Sequence, residues 1–214
     1  MGKVTDSVLG GTKGRTGRIV IANVNGTEIS KTRPRLTDKP STSKQTLVKS
    51  RMTIASEFVS GYKSFALKHF GQRTGLSSRY NKATSNVMKA YKLNYAANSL
   101  DRENSEILFS KGDLEGLYLN DLTAPAALSF ELTWDDNTDD EDAFGTDQVY
   151  VLYCAEDEHR PRLVRNIATR ADGSANVSVM RRYRGKTLDV WVCALDANKE
   201  RVSLSEYAGT VTVS

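Results

Sequence analysis

The segment Leu128-Ser129-Phe130-Glu131-Leu132-Thr133-Trp134 alternates apolar and polar side chains along its whole length. A period of two sends Leu128, Phe130, Leu132 and Trp134 to one face of an extended chain and Ser129, Glu131 and Thr133 to the other, as in a strand with one buried and one wet face. Further strand-like runs lie around it, at residues 107–109, 114–119, 149–155, 163–169, 176–180, 188–195 and 208–213, separated by turns rich in Asp, Asn and Gly. Seven or so short strands with regular turn signals predict a β-sandwich of immunoglobulin or fibronectin type over residues 106–214. Trp134 and Trp191 are the expected anchors between its two sheets, because large aromatics dominate burial in a small core.

Upstream of residue 106 the period changes. Thr42-Ser43-Lys44-Gln45 matches a capping box, in which the threonine hydroxyl and the glutamine amide serve each other's unpaired backbone N–H groups. From there Val48, Met52, Ala55, Val59, Tyr62 and Ala66 recur at spacings of four and three, which predicts a helix ended by Gly71 and Gly75. Gly61 falls inside the apolar stripe and marks a close approach or a bend. A second helix is expected over residues 77–98, with Tyr80, Ala83, Val87, Ala90, Tyr91 and Asn94 on one side. Tyr80, Tyr91 and Tyr95 are read as core, not as a cofactor platform.

Nearer the start, Ile19-Val20-Ile21-Ala22-Asn23-Val24, then Asn25-Gly26, then Thr27-Glu28-Ile29-Ser30-Lys31-Thr32 is a β-hairpin signal, since Asn-Gly supplies the two positive-φ residues of a tight turn. Residues 8–17 contain four glycines and read as a flexible arm or loop. The fold class expected is therefore α+β: a glycine-rich arm and β-hairpin over residues 1–41, a helical pair over 42–105, and an immunoglobulin/fibronectin-like β-sandwich over 106–214, the last folding on its own.

Charge divides the chain at the same place. Residues 1–105 hold 19 Lys and Arg against 6 Asp and Glu, and residues 106–214 hold 11 against 20, balances of +13 and −9 that make the net +4. Such a bipolar chain can bind a polyanion through its front half, or associate head-to-tail with copies of itself. The cations expected to make that assembly or polyanion contact are Lys13, Arg15, Arg18, Lys31, Arg33 and Arg35, spread over the arm and hairpin. Aromatic residues are absent between positions 1 and 57, so a stacking platform for single strands is not expected among these charges.

Enzymatic function is not expected. The two histidines, His69 and His159, read as a helix-end residue and a solvated turn, and the nucleotide-binding and hydrolase fingerprints do not occur. Cys154 and Cys193 lie in strand-like segments and read as small buried hydrophobes, not as a bridge. Asp135, Asn137 and Asp139 resemble the opening of a calcium loop, but Asp140 stands where the glycine is required, so the loop is read as solvated and no metal or cofactor is assigned. No apolar run is long enough to span a membrane, and Met1-Gly2-Lys3-Val4-Thr5-Asp6 lacks the apolar core of a secretory signal, which predicts cytoplasmic synthesis and no membrane partner.

The order of these features resembles an uncharacterised family, a domain of unknown function abundant in Bacteroidetes genomes and mobile elements. The resemblance lies in Leu9-Gly10-Gly11, in Gly14-Arg15-Thr16-Gly17-Arg18-Ile19-Val20, in Arg33-Pro34 leading to Asp38-Lys39-Pro40-Ser41-Thr42 and Gln45, and in Trp134, Asp147 and Tyr207-Ala208-Gly209 of the closing sandwich. It implies the architecture above and brings no catalytic residues with it. The function expected is a non-enzymatic structural subunit of a larger assembly, a homo-oligomer or one of several subunits joined by the N-terminal arm, of phage-related virion or tail type. The alternative is a nucleic-acid-binding structural protein that uses its basic N-terminal half.

Overall fold

A computed structural model describes residues 2–3, 13–24, 26–34, 40–138 and 140–214. Of the residues singled out above, Leu9, Gly10, Gly11, Asn25, Arg35, Asp38, Lys39 and Asp139 lie outside the described residues.

Seven strands build the C-terminal half in two antiparallel sheets. One sheet has three strands and the other has four. The three-stranded sheet runs Ser174–Ser178, Ser129–Asp135, Tyr118–Thr123, and the four-stranded sheet runs Arg162–Thr169, Gln148–Ala155, Thr187–Leu195, Glu206–Thr212. In chain order we number them β7 (Tyr118–Thr123), β8 (Ser129–Asp135), β9 (Gln148–Ala155), β10 (Arg162–Thr169), β11 (Ser174–Ser178), β12 (Thr187–Leu195) and β13 (Glu206–Thr212). Neighbouring sheet order against chain order gives the crossed connections of a fibronectin-like sandwich. The alternation in β8 holds: Phe130, Leu132 and Trp134 are buried between the sheets with Val149, Val151, Tyr153, Val190 and Val192.

The opposite face of the four-stranded sheet is buried too. Tyr150, Leu152 and Cys154 of β9 and Trp191, Cys193 and Leu195 of β12 pack under a helical layer that contributes Ala55, Phe58, Val59, Tyr62, Phe65, Ala66, Val87 and Ala90. The molecule is thus three layers deep, with the four-stranded sheet in the middle. Trp191 was expected between the sheets and lies instead on the helix side. Its position in β12 is one residue from Val190 and Val192, so the strand's period turns it away from them. Its ring meets Phe58 edge-on at 5.7 Å and Tyr207 at 5.5 Å, and its Nε1–H donates to the Asn104 carbonyl at 3.0 Å.

The helical layer comprises α1 (Ser43–Ser60), α2 (Lys63–His69) and α3 (Arg79–Ala90). The capping box forms: Gln45 N–H donates to Thr42 Oγ1 at 3.3 Å, and Thr42 N–H to Gln45 Oε1 at 3.1 Å. The first predicted helix is broken at Gly61 and Tyr62 into α1 and α2. A Cβ at Gly61 would overlap the Pro161 carbonyl oxygen and lie 3.0 Å from Pro161 Cδ, so glycine lets the segment before β10 reach the helix junction. The second predicted helix stops at Ala90, eight residues short of the expected end. Tyr91–Asn94 (β5) instead pairs with Ser99–Arg102 (β6) in a hairpin closed by Asn98 at φ 52°. Residues 107–109, expected as a strand, run irregularly because side chains serve their backbone: the N–H groups of Phe109 and Ser110 both donate to Ser205 Oγ, at 2.9 and 3.3 Å.

At the N-terminus β3 (Ile19–Val24) and β4 (Thr27–Thr32) form the predicted hairpin, with Val24 opposite Thr27 and Gly26 at φ 83°. Two short strands flank it, β1 (Gly2–Lys3) on β4 and β2 (Gly14–Thr16) on β3, giving a four-stranded sheet. The arm expected over residues 8–17 therefore ends in a strand.

Candidate functional site

The N-terminal sheet fixes where its cations point. Arg15 lies opposite Val20, and Val20 opposite Lys31, so Arg15 and Lys31 share one face. Lys3 lies opposite Ile29, two residues from Lys31 on the same strand, which puts it on that face as well. Arg18 and Arg33 meet at one end of the sheet, where Arg33 N–H donates to the Arg18 carbonyl at 2.7 Å. Lys13 stands just before β2. All six of these side chains are exposed, and among the described residues none forms an ion pair. The sequence-predicted set thus converges on one small sheet, apart from Arg35, which lies outside the described residues.

The acidic counterpart gathers at one end of the sandwich. Asp113, Asp135, Asp136, Asp140, Glu141 and Asp142 are exposed there, with Glu115 half-buried beside them. Their partners diverge. Asp135 accepts from Asn120 Nδ2 at 2.6 Å, Asp136 from Thr138 N–H at 3.0 Å and Asp142 from Arg201 at 2.7 Å. The Arg201 guanidinium holds the Asp142 carboxyl below its ordinary pKa. Among the described residues no three acidic, His or Cys side chains come together as a metal site would need.

Two buried polar networks tie the sandwich together. The Arg170 guanidinium, wholly buried, pairs with Asp147 at 3.1 Å and donates to the carbonyls of Glu115 and Gly116 at 2.8 and 2.6 Å and to Asn137 Oδ1 at 2.7 Å. On the helix side Asp189 receives the Arg102 guanidinium, Asn104 Nδ2 at 2.6 Å and the Tyr207 hydroxyl at 2.9 Å, joining the β5–β6 hairpin to β12. Cys154 and Cys193 are free and buried, and burial pushes both thiols up to about 12, so they remain protonated and unreactive at neutral pH. His159 is exposed in its turn, as expected.

Sequence reasoning missed a second cationic surface. A cleft of about 400 Å³ opens between α2 and β10, lined by Ser64, Phe65, Lys68, His69, Tyr150, Arg165, Asn166, Leu195 and Lys199. A neighbouring cleft of about 350 Å³ shares Lys68 and His69 and adds Arg79, Lys111 and Arg201, together with Asp113 and Glu200. Residues from distant parts of the chain meet here, so no local run of charge announces them. The pairing of β10 with β9 slips between Val164 and Ala168, and Asn166 sits in that irregularity at φ 50°. The bulge leaves Arg165 and Asn166 exposed side by side on the cleft. His69 lies deeper than a helix-end residue was expected to, at 8% exposure, its ring 4.7 Å from that of Phe65. Burial lowers its pKa, and the nearby charges of Lys68 and Arg79 lower it further, so the imidazole is neutral at physiological pH.

No helix among the described residues is long and apolar enough to cross a membrane. The model of a family of unknown function, DUF6266, matches residues 11–209. A search of the curated proteins gives no match. Among solved structures the chain is similar to the fn3 domain of the human collagen alpha-1(XX) chain, with a TM-score of 0.35 and 15% identity over 49% of this chain and 89% of that one. It is similar also to the fn3 domain of human contactin 1, with a TM-score of 0.33 and 13% identity over 49% of this chain and 84% of that one.

Proposed function

The chain belongs to the DUF6266 family, and from that premise we propose that it is a non-enzymatic structural subunit that self-associates through its N-terminal sheet. The observation that carries this reading is the face holding Lys3, Arg15 and Lys31, three exposed cations without ion-pair partners among the described residues. In the proposed contact that face docks on the acidic end of a neighbouring copy, around Asp135, Asp136, Asp140 and Glu141. Such a contact is heterologous, since the two surfaces differ, and it builds rings or filaments instead of closed pairs. The edges of the N-terminal sheet support it: among the described residues β1 and β2 are its short outer strands, the places where a sheet can add a strand from another chain. A phage-related virion or tail is the kind of particle such a subunit would build, a fold-level analogy.

The test is light scattering of the purified chain over a range of concentration at low and high salt. The expected result is growth of assemblies with concentration, weakened by salt as the Debye length shrinks to about 3 Å near 1 M, and loss of assembly in the Arg15→Glu, Lys31→Glu double variant. A wild-type chain that stays monomeric at low salt, or a double variant that assembles equally well, would sink the proposal. Binding of an oligonucleotide to the same face, with no assembly, would favour the alternative of a nucleic-acid-binding structural protein.

A further inference from the structure

We propose that the paired clefts between α2, the start of α3 and β10 hold the phosphodiester backbone of a single-stranded nucleic acid, at a site separate from the N-terminal sheet. Five chain segments converge there and bring Lys68, Arg79, Lys111, Arg165 and Lys199 to one surface. Among the described residues none of these five forms an ion pair with a carboxylate. Their hydrogen bonds go to neutral groups instead: Arg79 to the Lys68 carbonyl and Arg165 to Ser64 Oγ at 2.9 Å. A folded chain normally neutralises or disperses such a concentration of charge, and this one leaves it lining a concavity.

The shape selects the ligand. The two clefts share Lys68 and His69, so the cations form a track longer than one phosphate group needs. Hollows of about 400 and 350 Å³ admit the backbone of one strand, while the far wider duplex would rest on their rims. Phe65, His69 and Tyr150 floor the first cleft but are buried, at 4%, 8% and 5% exposure, and so offer little ring face for base stacking. Recognition is therefore of backbone and not of bases. The Ser64 hydroxyl and the Asn166 amide supply neutral hydrogen-bonding groups beside the cations. Asp113 and Glu200 also line the second cleft, where Arg201 pairs with Asp113 at 3.7 Å.

The experiment is fluorescence anisotropy with a labelled oligothymidylate, titrated with the full chain at several salt concentrations. For three to five phosphates contacted, log K should fall against log salt with a slope of about −2 to −3.5. The exposed-surface variant Lys68→Glu, Arg165→Glu should weaken binding by about tenfold or more at low salt, while Arg15→Glu, Lys31→Glu leaves it within about twofold. As an independent reading on the unmodified protein, the oligonucleotide should protect Lys68, Lys111 and Lys199 from acetylation, followed by mass spectrometry. Absence of binding at low salt overturns the proposal. So does protection that falls on Lys13 and Lys31 instead, or a cleft variant that binds as well as the wild type. Self-assembly is measured separately, without nucleic acid, so failure here leaves the assembly reading standing and the reverse is equally true.

Discussion

Glu206 shows how a single carboxyl reports its surroundings. It lies at the start of β13 against Gly116, where a Cβ would come 2.8 Å from its Oε1; its side chain is still partly exposed, and its pKa is raised first by partial desolvation and then by the neighbouring charge of Glu115. The folded chain therefore holds this proton more tightly than the unfolded chain does. Between the unfolded value near 4.3 and the raised folded value, the folded state binds more protons, so its stability falls as pH rises through that window. Glutamine cannot ionise, so Glu206→Gln should melt at a higher temperature than the wild type at neutral pH, and the gap should close below about pH 4. A gap that is absent at neutral pH, or that persists unchanged into acid, would refute this account. The buried Arg170–Asp147 pair marks the limit of what sequence discloses at this scale. Nothing in the local pattern marks either residue as buried, because charged side chains are seldom fully buried. Only the fold brings Glu115, Gly116, Asn137 and Asp147 around one guanidinium and uses its whole fork of donors. The cleft cations were equally hidden, since Lys68, Arg165 and Lys199 stand far apart in the chain.

Elements were read well where local chemistry decides them and poorly where packing does. The capping box of α1 and the Asn-Gly hairpin depend on neighbours within a few residues, and both appear where the sequence puts them. The end of α3 does not. Residues 91–98 contain good helix formers, and propensity alone carries the helix onward, but it amounts to tenths of a kcal/mol per residue. Pairing β5 with β6 buries Tyr91 and delivers Arg102 to Asp189, and that outweighs it. The asparagines at 94 and 98 were the available signal: Asn94 Oδ1 accepts from Ala97 N–H at 3.1 Å, and Asn98 takes the left-handed conformation of the turn. Gly61 was read as a close approach or a bend, and the structure has both: α1 ends at it, and Pro161 packs against it. Its own φ of −62° suits any residue, so the effect of a side chain there is steric alone. The obstacle is the Pro161 backbone, which cannot swing aside as a flexible side chain would. Gly61→Ala should therefore destabilise the protein by about 1–3 kcal/mol, measured by urea unfolding. An unchanged midpoint would show that the segment before β10 shifts freely and that the α1–α2 break has another cause.

For the molecule as a whole, the decisive feature is that the four-stranded sheet is buried on both faces. The sequence carries this in a form easily passed over. Residues 128–134 alternate, as befits β8 with one wet face, but Val149-Tyr150-Val151-Leu152-Tyr153-Cys154-Ala155 and Val190-Trp191-Val192-Cys193-Ala194-Leu195 are continuous apolar runs. Continuous runs belong to strands covered on both sides. Read as a two-layer sandwich, residues 106–214 ought to fold alone; the packing argues otherwise. Without residues 42–105 the sheet would expose Tyr150, Leu152, Cys154, Trp191, Cys193 and Leu195 together. At about 1.5–3 kcal/mol for each large apolar side chain returned to water, the loss is on the order of 10 kcal/mol. That is as large as the whole stability of a typical domain, about 5–15 kcal/mol. We therefore expect the fragment 106–214 to aggregate or remain unfolded, and the fragment 42–214 to unfold cooperatively. The two tryptophans allow a direct check in the full chain, because Trp134 lies between the sheets and Trp191 under the helices. With Trp134→Phe leaving one reporter and Trp191→Phe leaving the other, each fluorescence transition in denaturant should coincide with the loss of circular dichroism measured on the same variant. Within either variant, a tryptophan transition separated from the circular dichroism curve would show that the two cores melt apart. A monomeric fragment 106–214 with a sharp transition of its own would show that the sandwich is an independent folding unit and that the helical layer merely covers it.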